Sequence, residues 1–410
     1  MKPDHHELIL AASERPGLGM RIALVTETFP PEINGVAMTL GRLVEGLIQR
    51  GHQVQIVRPR QHRFELAGTT PNRDELLVSG LPIPGYQGLN FGLPSKAILI
   101  REWQHFRPDI VHVATEGPLG WSAVAAARDL KLPVSSSFHT NFDHYAQHYG
   151  IGFLKSPVEA YLKAFHNRTD ATLVPTRTLM TDLSKRGFRN LGLMSRGVAT
   201  AQFSPTRRSQ ELRASWGVKS DAPVALYVGR LAKEKNLEAV VAAFALMKQH
   251  QPAARMVFVG DGPLRDSLQR ACPEAIFAGM RTADDLACHY ASADIFLFAS
   301  LSETYGNVVP EALASGLGVV AYAQAAAAEH IYHGFNGLAV GPGDEAAFLN
   351  AALSLVRESH VLAKIRSKAA QSVSHLDWSS VQDQFVRSLR EVHSRCAERL
   401  QGLSQRLATS

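Results

Sequence analysis

Two rhythms of hydrophobic and polar positions alternate along this chain. The first is a short apolar run with strand character: RIALV, QVQIV, DIVHV, PVSSSF and ATLVP before residue 200, then VALYV, RMVFV, DIFLF, GVVAY and GLAV after it. The second is a longer amphipathic segment. Between the first two runs, Val36, Leu40, Leu43, Val44 and Leu47 fall on one helical face, and Gly51 stands where a helix end favours glycine. NLEAVVAAFALMKQH repeats this pattern in the second half. Strand, turn, helix and strand in succession predict βαβ units and hence parallel sheets covered by helices. The fold class expected is α/β, as two Rossmann-like doubly wound domains facing a cleft.

The segment TAQFSPTRRSQELRASWG is polar and lacks strong periodicity, so it reads as a linker. The expected organisation is a loose tail over 1–20, a first domain over 21–205, a second over 206–375 and a final helical segment over 376–410. In that last segment Trp378, Val381, Phe385 and Leu389 recur at helical spacing.

Composition narrows the functional classes without choosing among them. Apolar residues make up 45% and charged ones 20%, as in a globular protein. No apolar run reaches the about 18 residues that a membrane span needs. Three dispersed cysteines, Cys272, Cys288 and Cys396, give no disulfide framework, and a cytoplasmic protein is the default expectation. Residues 1–200 carry 22 Lys/Arg against 17 Asp/Glu, a balance of +5; the remainder carries 21 against 20. That excess is small and comes with no zinc-finger spacing or arginine-rich arm, so nucleic acid is not expected as a partner. Arg58, Arg60 and Arg63 nevertheless cluster after a predicted strand, with Lys155, Lys163 and Arg168 on a later helical segment. Such a patch suits reversible docking on anionic lipid, with the three arginines as the expected contact.

Candidate chemistry concentrates in the second half. In GRLAKEKN a strand ends, a loop presents Arg230 and Lys235, and a helix begins, which suits a diphosphate. In ETYGNVVPEALASG, Glu303 follows a strand while Pro310 and Glu311 fit the first turn of a helix. Gly306 permits close backbone approach to a ligand, and Asn307 and Val308 would offer N–H groups. Neither glutamate has a His or Asp at metal-ligand spacing, so no metal is expected. GDGPLR lacks the third glycine of the dinucleotide fingerprint, and no nicotinamide cofactor is expected either.

Taken in order, GRLAKEKN, FVGDGP, ADIFLFASLSETYGNVVPEALASG and HGFNGLAVGPGD resemble the donor half of the family 4 retaining glycosyltransferases, which have the GT-B fold. TETFPPEINGVAMTLGRLVEGLIQRGHQV and RGVATAQFSP extend the resemblance over nearly the whole chain after residue 20. It implies that Arg230 and Lys235 bind the donor diphosphate, with Gly35 closing on it. It also implies that Glu303 holds the donor sugar, Glu311 the ribose, and the backbone of Gly306, Asn307 and Val308 the sugar and phosphate. His139 would stand beside the reacting centre, so that His139, Glu303, Arg230 and Lys235 form the expected catalytic group. No cofactor or metal is implied, since the nucleotide-sugar is a substrate.

The first-domain segment is most similar to members that glycosylate lipids, including α-mannosyltransferases and sulfoquinovosyltransferases. The expectation is therefore transfer of mannose from GDP-mannose to a membrane glycolipid or lipid, by a cytoplasmic enzyme peripheral to the inner face of the membrane. A UDP-sugar-dependent transferase acting on diacylglycerol or a polysaccharide precursor remains open, as does a non-catalytic sugar-nucleotide-binding protein. Three departures from the family pattern bear on sugar choice: AQAAAAEHI where Gly-Gly is common, Asn307 with Pro310, and Ala199.

Overall fold

A computed structural model of the protein describes residues 19–32, 34–82, 90–139, 155–219 and 222–408. Of the expected tail, residues 1–18 lie outside the described residues. The chain divides into two compact units, Met1–Ser195 with Val381–Ser410, and Arg196–Ser380.

In the first unit the strands are β1 (Arg21–Val25), β2 (Gln53–Pro59), β3 (Thr69–Thr70), β4 (Arg73–Val78), β5 (Gly80–Pro82), β6 (Asn90–Gly92), β7 (Ile110–Val113), β8 (Val134–Ser137), β9 (Ala171–Val174) and β10 (Leu191–Leu193). Eight of them form one sheet in the order β10-β9-β8-β7-β1-β2-β4-β3, while β5 and β6 pair separately. All pairings in the large sheet are parallel except β3 with β4. The strand order reverses between β1 and β7. Buried Val25, Val57, Val111, Val113 and Leu119 pack with Trp103 and Phe165 to form the core.

The helix Gly35–Gln49 starts where its sequence directs it. The Asn34 side chain accepts from the N–H groups of Val36 and Ala37, satisfying donors that the first turn cannot pair. Its apolar face, Leu40, Leu43, Val44 and Leu47, is buried as the spacing predicts.

The second unit has β11 (Val224–Val228), β12 (Arg255–Val259), β13 (Ile276–Gly279), β14 (Ile295–Phe298), β15 (Gly318–Tyr322) and β16 (Gly337–Val340). They form one parallel sheet in the order β13-β12-β11-β14-β15-β16. Its order reverses between β11 and β14. In open parallel sheets ligands bind beyond the carboxyl ends of the strands at such a switch point.

The segment read as a linker is part of this unit. Val198 and Phe203 are buried in its core, and Gln210–Ser215 is a helix. Arg208 and Arg213 both reach Asp294, at 2.8 and 3.0 Å, and Arg366 meets the same carboxylate at 2.8 Å. Those arginines made the segment look solvated; a buried aspartate at the start of β14 is what they serve.

The final helix, Trp378–Ala408, belongs to the first unit from Val381 onward. There Gln384 donates to the Leu193 carbonyl, Gln382 to that of Arg42, and Arg50 pairs with Asp383 at 2.7 Å.

Candidate functional site

The loop after β11 is shaped by close packing against the loop after β12. A Cβ on Gly260 would stand 2.0 Å from the Gly229 carbonyl oxygen, and one on Gly262 would stand 2.5 Å from that of Leu231. The glycines of FVGDGP therefore act by letting two loops touch, and Leu231 N–H donates to the Asp261 carbonyl across the contact. Buried Tyr227 of β11 donates its hydroxyl to the Arg230 carbonyl at 3.0 Å, fixing the loop from below. Arg230 itself projects outward. Its side chain is 59% exposed and stands 3.9 Å from Glu234, too far for a firm hydrogen bond.

A short 3-10 turn, Lys233–Lys235, leads to Asn236 with φ +50° and then to the helix Leu237–His250. This turn aims Lys235 at the loop after β14, where Nζ lies 2.5 Å from Glu303 Oε1. Lys235 and Glu303 are 18% and 14% exposed, so the pair is largely shielded from bulk water.

Beyond Glu303, Gly306 has φ +84°, a conformation that side chains resist. Space is not the constraint here, since an added Cβ would meet Glu303 Cγ at an ordinary 3.6 Å. The helix Val308–Ala314 then begins, with Pro310 and Glu311 in its first turn as the sequence predicts. Among the described residues, no backbone acceptor meets the N–H of Asn307 or Val308. Asn307 Oδ1 is buried without a hydrogen-bond partner.

Glu311 keeps a partly exposed surface although its carboxyl group is enclosed, and burial pushes its pKa up to about 7. The Tyr290 hydroxyl donates to Glu311 Oε2 at 3.0 Å and works in the opposite direction, favouring the carboxylate.

The structure thus brings Lys235 and Glu303 into contact in the second unit and places Arg230, Gly306, Asn307, Val308 and Glu311 on the loops and helix around them. Gly35 and His139 belong to the first unit. Gly35 is the first residue of the helix capped by Asn34, and His139 follows β8 at its carboxyl end.

Four further residues, Arg196, Tyr305, His330 and Glu27, lie in segments quoted above but were not singled out there. Arg196 is buried with its guanidinium 5.6 Å from the centre of the Tyr305 ring. Burial lowers its pKa, against the opposing pull of Tyr305 and Glu303. Tyr305 in turn hydrogen-bonds His330 Nε2 at 2.9 Å. In the first unit, Glu27 sits where the strand order reverses, and its carboxylate occupies the slot that a Cβ on Gly117 would fill. Burial raises Glu27 to about 7, despite the N–H bonds from Leu119 and Gly92 that favour its charged form.

One expectation is corrected. Arg58 is not available to a membrane: it is buried, with Glu65 at 2.7 Å and Glu75 at 2.9 Å from Nη2. Position after a strand suggested exposure, but the paired carboxylates draw the guanidinium inward. Arg60 and Arg63 are exposed.

The paired Lys235 and Glu303 lie on the loops beyond the carboxyl ends of β11 and β14, at the switch point of the second sheet, where doubly wound proteins bind their ligands. Residues 33–202 match the description Glycosyltransferase Family 4, and residues 222–358 match Glycosyl transferases group 1. A GDP-mannose-dependent alpha-mannosyltransferase of Mycobacterium tuberculosis is 34% identical over 74% of this chain and 79% of its own length. One of Corynebacterium glutamicum is 30% identical over 91% and 89%. The sulfoquinovosyl transferase SQD2 of Arabidopsis thaliana is 31% identical over 87% and 71%. Among solved structures, the sucrose-phosphate synthase of Thermosynechococcus elongatus aligns with TM-score 0.73 at 19% identity, over 92% of this chain and 100% of that one. Anabaena HepE, solved with UDP and glucose, aligns with TM-score 0.68 at 20% identity over 90% and 99%. The chain belongs to glycosyltransferase family 4 and has the GT-B fold; it is a hexosyltransferase.

Proposed function

We propose that this enzyme transfers a hexose, with retention of anomeric configuration, from a nucleotide-sugar to a hydroxyl of a membrane lipid or glycolipid, and that GDP-mannose is the donor. The observation that carries the reading is Lys235 held against Glu303, with Arg230 free to reach a ligand from the same loop. Arg230 and Lys235 bind the diphosphate and stabilise the charge that grows on it as the glycosidic bond breaks. Glu303 accepts hydrogen bonds from the sugar and Glu311 from the ribose, since each hydroxyl can donate to a carboxylate oxygen. The N–H groups of Asn307 and Val308 complete the grip. The departing diphosphate takes the acceptor proton on the face where the new bond forms.

Arg230 and Lys235 are the cations proposed to meet the diphosphate, and activity is expected to survive chelation of divalent metal. Among the described residues, no three His, Cys, Asp or Glu side chains come together as a metal-holding group. No described helix is long and apolar enough to cross a membrane. We place the enzyme at the inner face of the membrane as a peripheral protein, on the strength of the lipid acceptor proposed above.

The mannosyl reading draws on the two mannosyltransferase relatives. A UDP-sugar donor is the second reading, favoured by the UDP and glucose held in the HepE structure. A thermal-shift screen of GDP- and UDP-sugars separates them. A cognate donor at 100 times its dissociation constant adds about 2.7 kcal/mol of stability, whereas a protein that ignores every nucleotide-sugar contradicts both readings.

A further inference from the structure

The loop after β2 exposes two large apolar side chains more fully than any other among the described residues, Phe64 at 82% and Leu66 at 88%. Glu65 between them faces the other way. Its carboxylate accepts from Arg58 Nη2 and from the Gln61 N–H, both at 2.7 Å, and its carbonyl accepts from Arg60 Nη1 at 2.7 Å. Burial alone would raise the Glu65 pKa, but the bonds from Arg58 and Gln61 hold it below the ordinary carboxylate value. Arg58 is anchored a second time by Glu75 of β4, Gln61 Nε2 bonds Glu32 Oε1 at 2.6 Å, and Asn90 Nδ2 bonds the Arg60 carbonyl at 2.8 Å.

A loose loop could fold its apolar residues against the nearest surface. This one is stapled at its base, with a buried ion pair in place of an apolar anchor, so Phe64 and Leu66 are held in water. Within the loop itself the exposed charge has one sign. Between residues 60 and 68, Arg60, His62 and Arg63 face solvent, and the sole acid is the inward Glu65. The Arg63 guanidinium lies 5.9 Å from the centre of the Phe64 ring.

We propose that residues 60–68 are a membrane-docking wedge, in which Phe64 and Leu66 enter the headgroup–acyl boundary of an anionic bilayer while Arg60 and Arg63 meet its phosphates. An exposed apolar pair within a basic rim fits such an interface in both respects. The wedge deepens the transferase reading by naming the surface on which the acceptor is met, and it replaces an arginine cluster with an insertion device that salt cannot fully screen.

The test is vesicle sedimentation of the full chain with phosphatidylcholine vesicles, with or without phosphatidylglycerol, at low and high salt. The wild type is expected to bind the anionic vesicles and to retain part of that binding at high salt. F64S/L66S should lower the partition coefficient by at least about tenfold with an unchanged melting temperature. R60Q/R63Q should lower it by about fivefold per residue at low salt only. Absence of wild-type binding overturns the proposal, and so does F64S/L66S binding as well as the wild type. Self-association that F64S/L66S abolishes, without vesicle binding, assigns the loop to a second copy of the chain and also overturns it. A nucleotide-sugar thermal shift on the same wild-type sample keeps failure of the wedge distinct from failure of the transferase reading.

Discussion

Lys235 and Glu303 neutralise each other in the resting site, while Arg230 stands in water with no firm partner. In the proposed role, Arg230 is therefore the side chain whose interactions would change most on binding a diphosphate. R230A is expected to reduce kcat/KM by about 10- to 200-fold, from about 1.5–3 kcal/mol for a hydrogen bond to a charged group. Steady-state kinetics with the cognate donor check this, and unchanged turnover contradicts the assignment.

Glu311 allows a finer test. With its pKa raised to about 7, Glu311 in its proposed role would become a full acceptor for ribose hydroxyls only as pH rises through that value, so nucleotide affinity should rise over the same window. Removing the Tyr290 bond takes away a group that favours the carboxylate, so Y290F should move that limb to higher pH. Titration calorimetry of the nucleotide against pH reads both effects. Stability runs the other way. A carboxyl whose folded pKa lies above its unfolded value adds stability that is complete below about 4.5 and is lost as pH rises through about 7. E311Q should flatten that part of the stability profile, measured as melting temperature against pH.

Arg230, Lys235, Glu303 and Glu311 were legible in the sequence because each sits within a few residues of a strand end or a glycine turn. Tyr290 and Arg196 were not, because they reach the site from elements remote in sequence and only the folded second unit brings them near.

At the scale of elements, apolar periodicity located the inner strands of both sheets, since a parallel strand buried on both faces reads as an unbroken apolar run, but it missed β3 to β6 and β10, which are short or partly exposed. It failed at 200–217, where polarity suggested a linker. Three arginines there and on the helix Ser359–Ser372 converge on one carboxylate, Asp294, which also accepts from the Val224 N–H at the start of β11. Burial works to raise the Asp294 pKa, but the arginines hold it below the ordinary value. Asp294→Asn should destabilise the second unit by about 3–5 kcal/mol, because it leaves buried guanidinium charge uncompensated. Urea unfolding of the variant measures this, and a loss below about 1 kcal/mol would assign those arginines to solvent.

For the molecule as a whole, the division into two doubly wound units was written in the repeated grammar of strand, turn and helix. The helical spacing of Trp378, Val381, Phe385 and Leu389 predicted the last helix but not the unit it joins, which from Val381 is the first. What a surface exposes was not legible. Arg58, Arg60 and Arg63 look alike in sequence, but only the fold shows that Glu65 and Glu75 bury the first of them. The most direct measurement of the central claim is transfer of label from a panel of radiolabelled GDP- and UDP-hexoses into a lipid extract, by the wild type and by R230A side by side. The expected result is organic-phase label from one donor, GDP-mannose first among them, falling about 10- to 200-fold in R230A. Wild-type protein that moves label from no donor, or R230A that moves it as well as the wild type, would contradict a hexosyltransferase built on this site.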